Sequence, residues 1–436
     1  MRLFSSRPRG VRSRVLCGVL VALCFAGGAG AQQAPGLTAA EPTGQLTLAD
    51  AVRAALASNP DLVASAYELK AADARIEQAK LRINPDLSID LENFAGTGEV
   101  RTSKALETTL SLSQVVELGG KRALRTQVAE TDRDAVTVSR QAEQLDVLAE
   151  VTRRYIDLVA AQERVNLAAS TREITQRMVD AISARVQAAR SPEAERSRAR
   201  IALTRATLEE QQAQSELRSA RLALAALWGS TNPAFTDAQA DLFAIDPVEP
   251  FESLVGQLER NPDFLRFASE ARLREAELRL ARAQARPNLT FGAGVRRLNA
   301  SSDTALVAGF SIGLPVFNRN QGAIREAQAR LEQNEAARRA TFLRARATVY
   351  GLYQELEATR ERVRVLRSDA LTQAQQALEQ TQSGYDRGRF SYLELATAQQ
   401  EVLDIRAATI DAAADAQRVL AEIERLTGEP LAAPNP

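Results

Sequence analysis

The stretch Leu106-Glu107-Thr108-Thr109-Leu110-Ser111-Leu112-Ser113 alternates between two kinds of residue. The leucines share one face with Thr108, and the other face carries only Glu, Thr and Ser, which is typical of a half-buried strand. After Gly119-Gly120-Lys121 the period changes, because small and apolar residues now recur at steps of four and three. This spacing predicts a helix with a heptad seam. Neither Pro nor Gly occurs between Lys121 and Ala189, so the helix would be about 100 Å long.

Residues 1–31 have the three parts of a secretory signal peptide. An apolar run at 15–26 is followed by Ala29-Gly30-Ala31, which suits a cleavage site. The basic region in front of it contains Arg2, Arg7, Arg9, Arg12 and Arg14. Cys24 leaves a lipoprotein alternative open, but the bulky Leu23 before it disfavours lipidation. We predict that residues 1–31 are removed and that residues 32–45 form a linker rich in Pro, Gly, Ala and Thr.

The composition excludes several classes of chemistry. The chain has 436 residues, 55 basic and 55 acidic side chains, no His, and two Cys, which both lie in the leader. The mature chain would therefore have no disulfide, no thiol or imidazole catalyst and no soft metal ligand. No basic stripe suggests nucleic acid, and no later stretch is apolar over the ~18 residues that a spanning helix needs. We expect neither an enzyme nor a cofactor, a metal site or a nucleic-acid partner.

The second half of the sequence repeats the first. Asn59-Pro60-Asp61 recurs as Asn261-Pro262-Asp263, and Pro85 recurs as Pro287 at the same separation. We predict repeat 1 at 46–228, a connector at 229–250, repeat 2 at 251–428 and a disordered tail at 429–436. The predicted strands lie at about 86–94, 105–115, 288–298 and 304–314, and the long helical hairpins at about 121–228 and 319–428.

The four predicted strands have the length and the two faces of strands that cross a membrane. Strands of about nine to eleven residues span a bilayer when tilted. Four strands cannot close a barrel, and open edges are not stable in lipid, so several copies must share one barrel. Two copies would give a barrel filled by its own side chains, whereas three copies favour a conduit. A soluble sheet beside an ordinary coiled coil is the alternative, which the signal peptide, the repeat and the paired strands together disfavour.

Several motifs over nearly the whole mature chain resemble the TolC-like outer-membrane efflux proteins. They are Leu46-Thr47-Leu48-Ala49-Asp50-Ala51 with Asn59-Pro60, the Pro85 and Pro287 junctions, Leu314-Pro315-Val316-Phe317-Asn318, and Tyr385-Asp386-Arg387-Gly388-Arg389-Phe390-Ser391-Tyr392-Leu393-Glu394-Leu395. The stretch Gln114-Val115-Val116-Glu117-Leu118-Gly119-Gly120-Lys121-Arg122 is similar to the branch that serves heavy-metal efflux, of the cobalt–zinc–cadmium type.

The resemblance implies an α+β membrane protein with two internal repeats. It would form a homotrimer with a twelve-stranded β-barrel in outer-membrane lipid, four strands per chain, continued by a long periplasmic helical barrel. Such a protein takes its substrate from an inner-membrane resistance–nodulation–division (RND) pump through a periplasmic adaptor. The expected function is a passive export duct for heavy-metal cations. The alternatives are the same duct for drugs or organic compounds, and a soluble periplasmic coiled-coil adaptor or scaffold.

The turns of the two hairpins are the candidate functional sites. By resemblance, they form the periplasmic entrance and the adaptor-docking surface, with candidate residues Tyr385, Asp386, Arg387, Gly388, Ser391, Glu394, Arg190 and Ser191. Ser391 and Glu394 also have the spacing of a capping box, and the two roles are compatible. In a trimer, Glu394 would form an acidic ring. The first turn lacks the glycine of the second and has Ser191-Pro192 instead, where we expect Ser191 to cap the next helix.

The polar faces of the strands are the second candidate site. They should line the barrel lumen with Asp86, Asp90, Glu92, Glu107 and Arg296. Carboxylates there would favour the passage of cations, although barrel lumens are polar in any case. Parity places Phe291 and Phe310 on the lipid face.

Overall fold

A computed structural model describes residues 41–428, with gaps at 102, 246 and 248. The predicted signal peptide, residues 32–40 of the predicted linker and the predicted tail lie outside the described residues. Along the chain, the elements form two repeats of similar order. Each repeat contains two antiparallel strands and a pair of very long helices.

The first repeat alternates short and long elements. In chain order it contains β1 (Gly44–Leu46), α1 (Leu48–Ser58), α2 (Pro60–Lys80), β2 (Asp86–Glu92), β3 (Glu107–Val116), α3 (Lys121–Gln187), α4 (Glu193–Ala225) and β4 (Phe235–Ala238). Helix α3 has 67 residues, close to the length that the sequence predicts. A 3₁₀ turn over Ala226–Trp228 ends α4, and Gly229 follows it in the left-handed conformation, φ 78°.

The second repeat has the same order without a pair of short strands. It contains α5 (Phe251–Leu258), α6 (Pro262–Gln284), β5 (Leu289–Leu298), β6 (Asp303–Ile312), α7 (Gln321–Val365), α8 (Leu371–Asp386) and α9 (Tyr392–Thr427). A π-helical segment at Leu366–Ala370 joins α7 to α8. These two helices therefore form one long rod with a local break in its α-helical hydrogen bonding.

The four longer strands form one antiparallel sheet in the order β2-β3-β5-β6. Its register places apolar residues beside apolar residues, and polar or small residues beside polar or small ones. One row across the sheet is Ile89, Leu110, Val295 and Leu306, and another is Asp86, Ser113, Gly292 and Gly309. The alternation in the sequence therefore becomes a sheet with one aliphatic face and one polar face.

The short strands β1 and β4 correct the predicted boundaries. β1 overlaps the predicted linker 32–45, β4 lies inside the predicted connector 229–250, and the two pair in parallel. Strands of three and four residues are too short to display a two-residue period, which is why the sequence does not reveal them. Tyr155 on α3 holds this pair, with its hydroxyl 2.9 Å from the carbonyl oxygens of Leu46 and Gln239. Burial raises the pKa of Tyr155 to about 12.

The repeated Asn-Pro-Asp motif joins two helix ends in each repeat. The Asn59 side chain accepts from the backbone N–H groups of Asp61 and Leu62 at the start of α2, and it donates to the Leu227 carbonyl at 2.8 Å. Asn261 does the same for α6, donating to the Arg425 carbonyl near the end of α9 at 2.8 Å. One buried amide thus satisfies the orphan groups of a helix start and a helix end.

The junction between sheet and rod explains the motif Gln114–Arg122. Gly119 and Gly120 have φ of +79° and +71°, and a Cβ at Gly119 would lie 2.7 Å from Cδ of Arg286. Lys121 Nζ donates to the Arg286 carbonyl and to Asn288 Oδ1, both at 2.6 Å. The motif therefore holds the start of α3 against the linker that enters β5 in the other repeat.

Candidate functional site

The polar face of the sheet brings the predicted lumen residues together. Asp86 pairs with Ser113, Asp90 with Thr109, and Glu92 with Glu107 across β2 and β3. The face continues onto β5 and β6, where glycines and small residues predominate. A shallow cavity of about 410 Å³ lies over it, lined by residues including Thr109, Ser111 and Gly294.

Arg296 neutralises part of this face. Its guanidinium lies 3.1 Å from Glu92 Oε2 and 3.1 Å from Glu107 Oε2, and its Nε donates to Thr109 Oγ1 at 2.9 Å. Two of the four predicted lumen carboxylates are therefore ion-paired at the loop end of the sheet. Asp86, Asp90 and Asp303, which the register places on the same face, form no ion pair with the residues that the structure describes. They add to the excess of carboxylate over guanidinium that remains around Arg296.

The opposite face of the sheet is uncovered. Leu306 is 87% exposed, Phe310 75%, Leu87 68% and Phe291 50%. Aliphatic and aromatic side chains exposed together on one face are not expected next to water. This face is the surface that an apolar environment must cover.

The second hairpin tip is built by a glycine turn and a capping box. Gly388 has φ +75°, and the Arg389 N–H donates to the Gly384 carbonyl at 2.8 Å, which closes the end of α8. The Ser391 N–H and hydroxyl both donate to Glu394 Oε2, at 2.7 and 2.9 Å, and the Glu394 N–H donates to the Ser391 hydroxyl at 3.4 Å. These bonds lower the pKa of Glu394, the backbone N–H of Ser391 being the largest cause.

Tyr385 lies inside the tip region. It is 6% exposed and belongs to an apolar cluster that includes Ile182 and Ala199 of the first hairpin, with Tyr392 and Leu395 of the second. The guanidinium carbon of Arg185 lies 4.4 Å from the centroid of the Tyr385 ring. Burial raises the pKa of Tyr385, and Arg185 opposes that shift. Tyr385 thus joins the two tips rather than facing solvent.

Asp386 and Arg387 are exposed beside it. Asp386 Oδ1 accepts from Gln382 at 3.2 Å, and the Arg387 guanidinium donates to the Ser383 hydroxyl. Both side chains are held within one turn of their own helix, so their remaining hydrogen-bonding capacity faces solvent.

The first hairpin tip makes the same kind of turn with an alanine. Ala189 has φ +57°, and the Arg190 N–H donates to the Arg185 carbonyl at 2.8 Å. The predicted cap by Ser191 is wrong, because α4 begins at Glu193 and Pro192 occupies the N-cap position without a side-chain hydrogen bond. The fixed φ and the missing N–H of Pro192 allow the chain to enter α4 without a polar cap.

Sequence reasoning missed Arg185 and the packing role of Tyr392. Arg185 meets Tyr385 only because two hairpins that are distant in sequence lie side by side. No local pattern marks such a contact. Tyr392 follows Ser391 in the motif, but nothing in its spacing indicates that it is only 6% exposed.

Two features of the described part of the chain concern membranes and metal ions. None of the helices within residues 41–428, the three gaps aside, combines the length and apolarity that a membrane-crossing helix requires. In the same described part of the chain, no three His, Cys, Asp or Glu side chains come together so that they could hold a metal ion.

Comparison with known proteins identifies the family. The model of the family described as outer membrane efflux protein matches residues 51–230 and 255–429. The cobalt-zinc-cadmium resistance protein CzcC of Cupriavidus metallidurans is 30% identical over 389 residues, covering 89% of this chain and 91% of CzcC. The nickel-cobalt-cadmium resistance protein NccC of Alcaligenes xylosoxydans is 25% identical over 353 residues, 81% of this chain and 77% of NccC.

A solved structure shares the fold. The crystal structures of CusC include one that superposes with a TM-score of 0.73 at 19% identity, covering 88% of this chain and 92% of that one. A match over most of both repeats and a relative at 30% identity exclude the soluble adaptor or scaffold that the sequence left open. The chain belongs to the outer membrane efflux protein family, and it is an outer-membrane channel protein with the TolC-like fold.

Proposed function

We propose that three copies of this chain form one duct across the outer membrane. The observation that carries the proposal is the sheet with two unlike faces and free edges at β2 and β6. Unpaired backbone groups at a sheet edge cost several kcal/mol each in lipid, so β2 must pair with β6 of another copy. Three copies give twelve strands, enough to enclose a lumen lined by the polar face.

Exposed apolar residues along the rods support the same assembly. On α4, Ile201, Leu208 and Leu222 are 55, 59 and 47% exposed, and they are spaced by one and two heptads. On α7, Leu343 and Tyr350 are 68 and 52% exposed, again one heptad apart. A second seam on a helix that is already packed against its own hairpin is typical of a helix with partners on both sides. Neighbouring copies would cover these seams and continue the barrel as a helical tunnel.

The proposed cargo is a heavy-metal cation. CzcC and NccC are named for resistance to cobalt, zinc, nickel and cadmium, and the sequence motif Gln114–Arg122 suggests the same branch. The mature chain offers neither His nor Cys, so it would pass these ions without binding them tightly. Asp86 and Asp90, repeated in three copies, would favour cations in the lumen.

The proposed entrance is the ring of hairpin tips at the periplasmic end. Tyr385 and Arg185 fasten the second tip to the first, and Glu394 of each copy would face the narrowing. The exposed side chains of Asp386, Arg387 and Arg190, together with the half-buried Ser191, would meet a periplasmic adaptor, which links the duct to an inner-membrane RND pump. Opening the entrance requires the two tips of one chain to separate, and Tyr385 is the residue that this motion exposes.

Fractionation followed by a mass measurement tests the duct. We expect the protein in the outer-membrane pellet, soluble only with detergent, with a particle mass of three chains after subtraction of the micelle. Recovery as a monomer from the soluble periplasm would contradict the proposal.

The cargo needs a separate experiment. A strain lacking the gene should become sensitive to zinc, cobalt or cadmium, and the intact gene should restore resistance. Sensitivity to organic toxicants with unchanged metal resistance would favour an organic cargo through the same duct. A D86N/D90N double variant should keep its trimer mass but show weaker preference for cations over anions in planar bilayers.

A further inference from the structure

Five arginines surround the helix end of the sheet. We call them the basic collar, and they are Arg82, Arg122, Arg286, Arg319 and Arg325. Arg82 precedes β2, Arg286 precedes β5, Arg122 follows β3, and the last two follow β6. The strands β2 and β5 begin at the end of the sheet where β3 and β6 finish. These positions therefore lie at one end of the sheet. All five side chains are exposed.

The collar has no acidic partner in the part of the chain that the structure describes. Two nearby carboxylates are engaged elsewhere, since Glu117 pairs with Arg125 at 2.7 Å and Glu326 with Arg330 at 2.5 Å. Asp86 belongs to the polar face of the sheet. None of the five collar guanidinium groups is therefore neutralised by a direct ion pair with the described residues.

Local helix stability does not explain these arginines. Arg122 lies in the first turn of α3, and Arg325 lies near the start of α7, two helices without an acidic residue in their first turn. The helix dipole favours anions and disfavours cations in the first turn of a helix, where Arg122 lies. Arg122 is therefore not there to stabilise its own helix.

The collar directly adjoins the apolar face. Leu314 is 76% exposed, Phe317 91% and Leu81 56%, and each lies within five residues of a collar arginine. A cleft of about 620 Å³ at the same end of the sheet is lined by Arg82 together with Leu81, Ile83, Asn84 and Arg125. An exposed aromatic ring and guanidinium groups at the end of an apolar face match the boundary between acyl chains and headgroups.

We propose that the basic collar binds the headgroup phosphates of anionic phospholipid, of the phosphatidylglycerol class, in the periplasmic leaflet of the outer membrane. This inference rests on the proposed function, because the sheet must span the membrane with its helix end toward the periplasm. Arginine holds phosphate oxygens through paired N–H donors, while Leu81 and Phe317 contact the acyl chains. Bound lipid would fix the depth of the duct in the membrane.

Equilibrium binding of fluorescent phosphatidylglycerol to the purified trimer in neutral detergent tests this. The test variant carries Gln at all five collar positions, Arg82, Arg122, Arg286, Arg319 and Arg325. We expect its affinity for phosphatidylglycerol to fall about tenfold or more, since basic residues near a membrane surface attract anionic lipid. Wild-type binding should weaken with added salt and should not be matched by phosphatidylcholine.

A matched control removes the same charge elsewhere. Arg200, Arg205, Arg338, Arg339 and Arg362 lie on the rods, are exposed, and form no ion pair with the described residues. Their replacement by Gln should leave the affinity unchanged. Equal loss in both variants, equal binding of phosphatidylcholine, or unchanged binding by the collar variant would overturn the inference.

Two further measurements distinguish a failure of the collar proposal from a failure of the duct proposal. If the collar variant does not assemble, the single variant Arg319→Gln and the salt titration of wild type decide the question. A trimer that fractionates with the membrane but ignores phosphatidylglycerol would refute the collar alone. A chain that never enters the membrane would refute the proposed duct itself.

Discussion

The two hairpin tips make the same turn from different residues. In the second tip, Gly388 takes the left-handed conformation and Ser391 caps the next helix with Glu394. In the first tip, Ala189 takes that conformation at φ +57°, and Pro192 stands where a capping side chain would be. Both tips nevertheless close the preceding helix with the same backbone hydrogen bond, at 2.8 Å in each.

This difference shows that the turn is imposed by the packing around it as well as by its own residues. A left-handed alanine costs roughly 1–2 kcal/mol relative to glycine. The apolar cluster around Ile182 and Tyr385 holds the two tips together and compensates for this local strain. The second tip is locally well formed, whereas the first depends on its neighbour.

The largest expected effect comes from removing the contact between the tips. Tyr385→Ala should lower the stability of the hairpins by about 3–5 kcal/mol, as for other buried aromatic residues. Because the first tip depends on this contact, limited proteolysis should cut it near residue 190 before it cuts the second tip. Tyr67→Ala, at a tyrosine 54% exposed, is the control and should change neither stability nor cleavage. Unchanged cleavage in Tyr385→Ala would refute the dependence.

Exchanging the turn residues should act in opposite directions. Ala189→Gly should stabilise the first tip by up to about 1 kcal/mol, and Gly388→Ala should destabilise the second by about 1–2 kcal/mol. Urea denaturation of the purified protein in detergent measures both. If both variants changed the free energy of unfolding in the same direction, the backbone angle φ would not be what decides the residue preference at these positions.

The capping box of the second tip should also form in the first tip when a serine is introduced there. Ser391→Ala should cost about 1 kcal/mol, since it removes the N-cap of α9. Pro192→Ser would place a capping serine three residues before Glu195, which reproduces the Ser391–Glu394 spacing in the first tip. We expect a gain below 1 kcal/mol, because losing proline also frees the unfolded chain. The Glu195 N–H already donates to the Pro192 carbonyl at 3.1 Å, so the informative amide is the new one at position 192. Its protection from hydrogen exchange in Pro192→Ser would show that the Glu195 side chain accepts from it and that the box has formed.

The smallest effect is a pH dependence confined to the second tip. The lowered pKa of Glu394 means that its carboxylate stabilises the folded state above the ordinary value of 4.5. That contribution is lost as the pH falls through the lower folded-state pKa. The difference in melting temperature between wild type and Glu394→Gln should be constant from pH 7 to 5 and shrink below about pH 4.5. A difference that grows on acidification would contradict the capping role.

Some features of this fold are local enough to be predicted from the sequence. The strand faces follow from alternation, the helix-to-strand junctions from Pro85 and Pro287, and the cap of α9 from Ser391 and Glu394. Each of these depends on a few consecutive residues. The twofold repeat makes the strand alternation and the proline junctions visible twice, whereas the cap occurs only in the second repeat.

Other features depend on contacts between distant segments. The parallel pair of β1 and β4 is too short to show a period, and the bridge from Arg296 to Glu92 and Glu107 needs the register of three strands. The heptad spacing of apolar and small residues continues through Leu366–Ala370 without interruption. The sequence therefore gives no sign of the π-helical segment there. Arg185 over Tyr385 is likewise a product of packing.

The proposed duct requires that one face of the sheet meets lipid and the other meets water. Since both cysteines lie in the predicted leader, single cysteines can be introduced without background. Ser111→Cys and Gly309→Cys lie on the polar face, and Leu110→Cys and Leu306→Cys on the apolar face. In outer-membrane vesicles, a water-soluble maleimide should label the first pair rapidly and the second pair only after detergent is added. Equal labelling of all four without detergent would contradict the account.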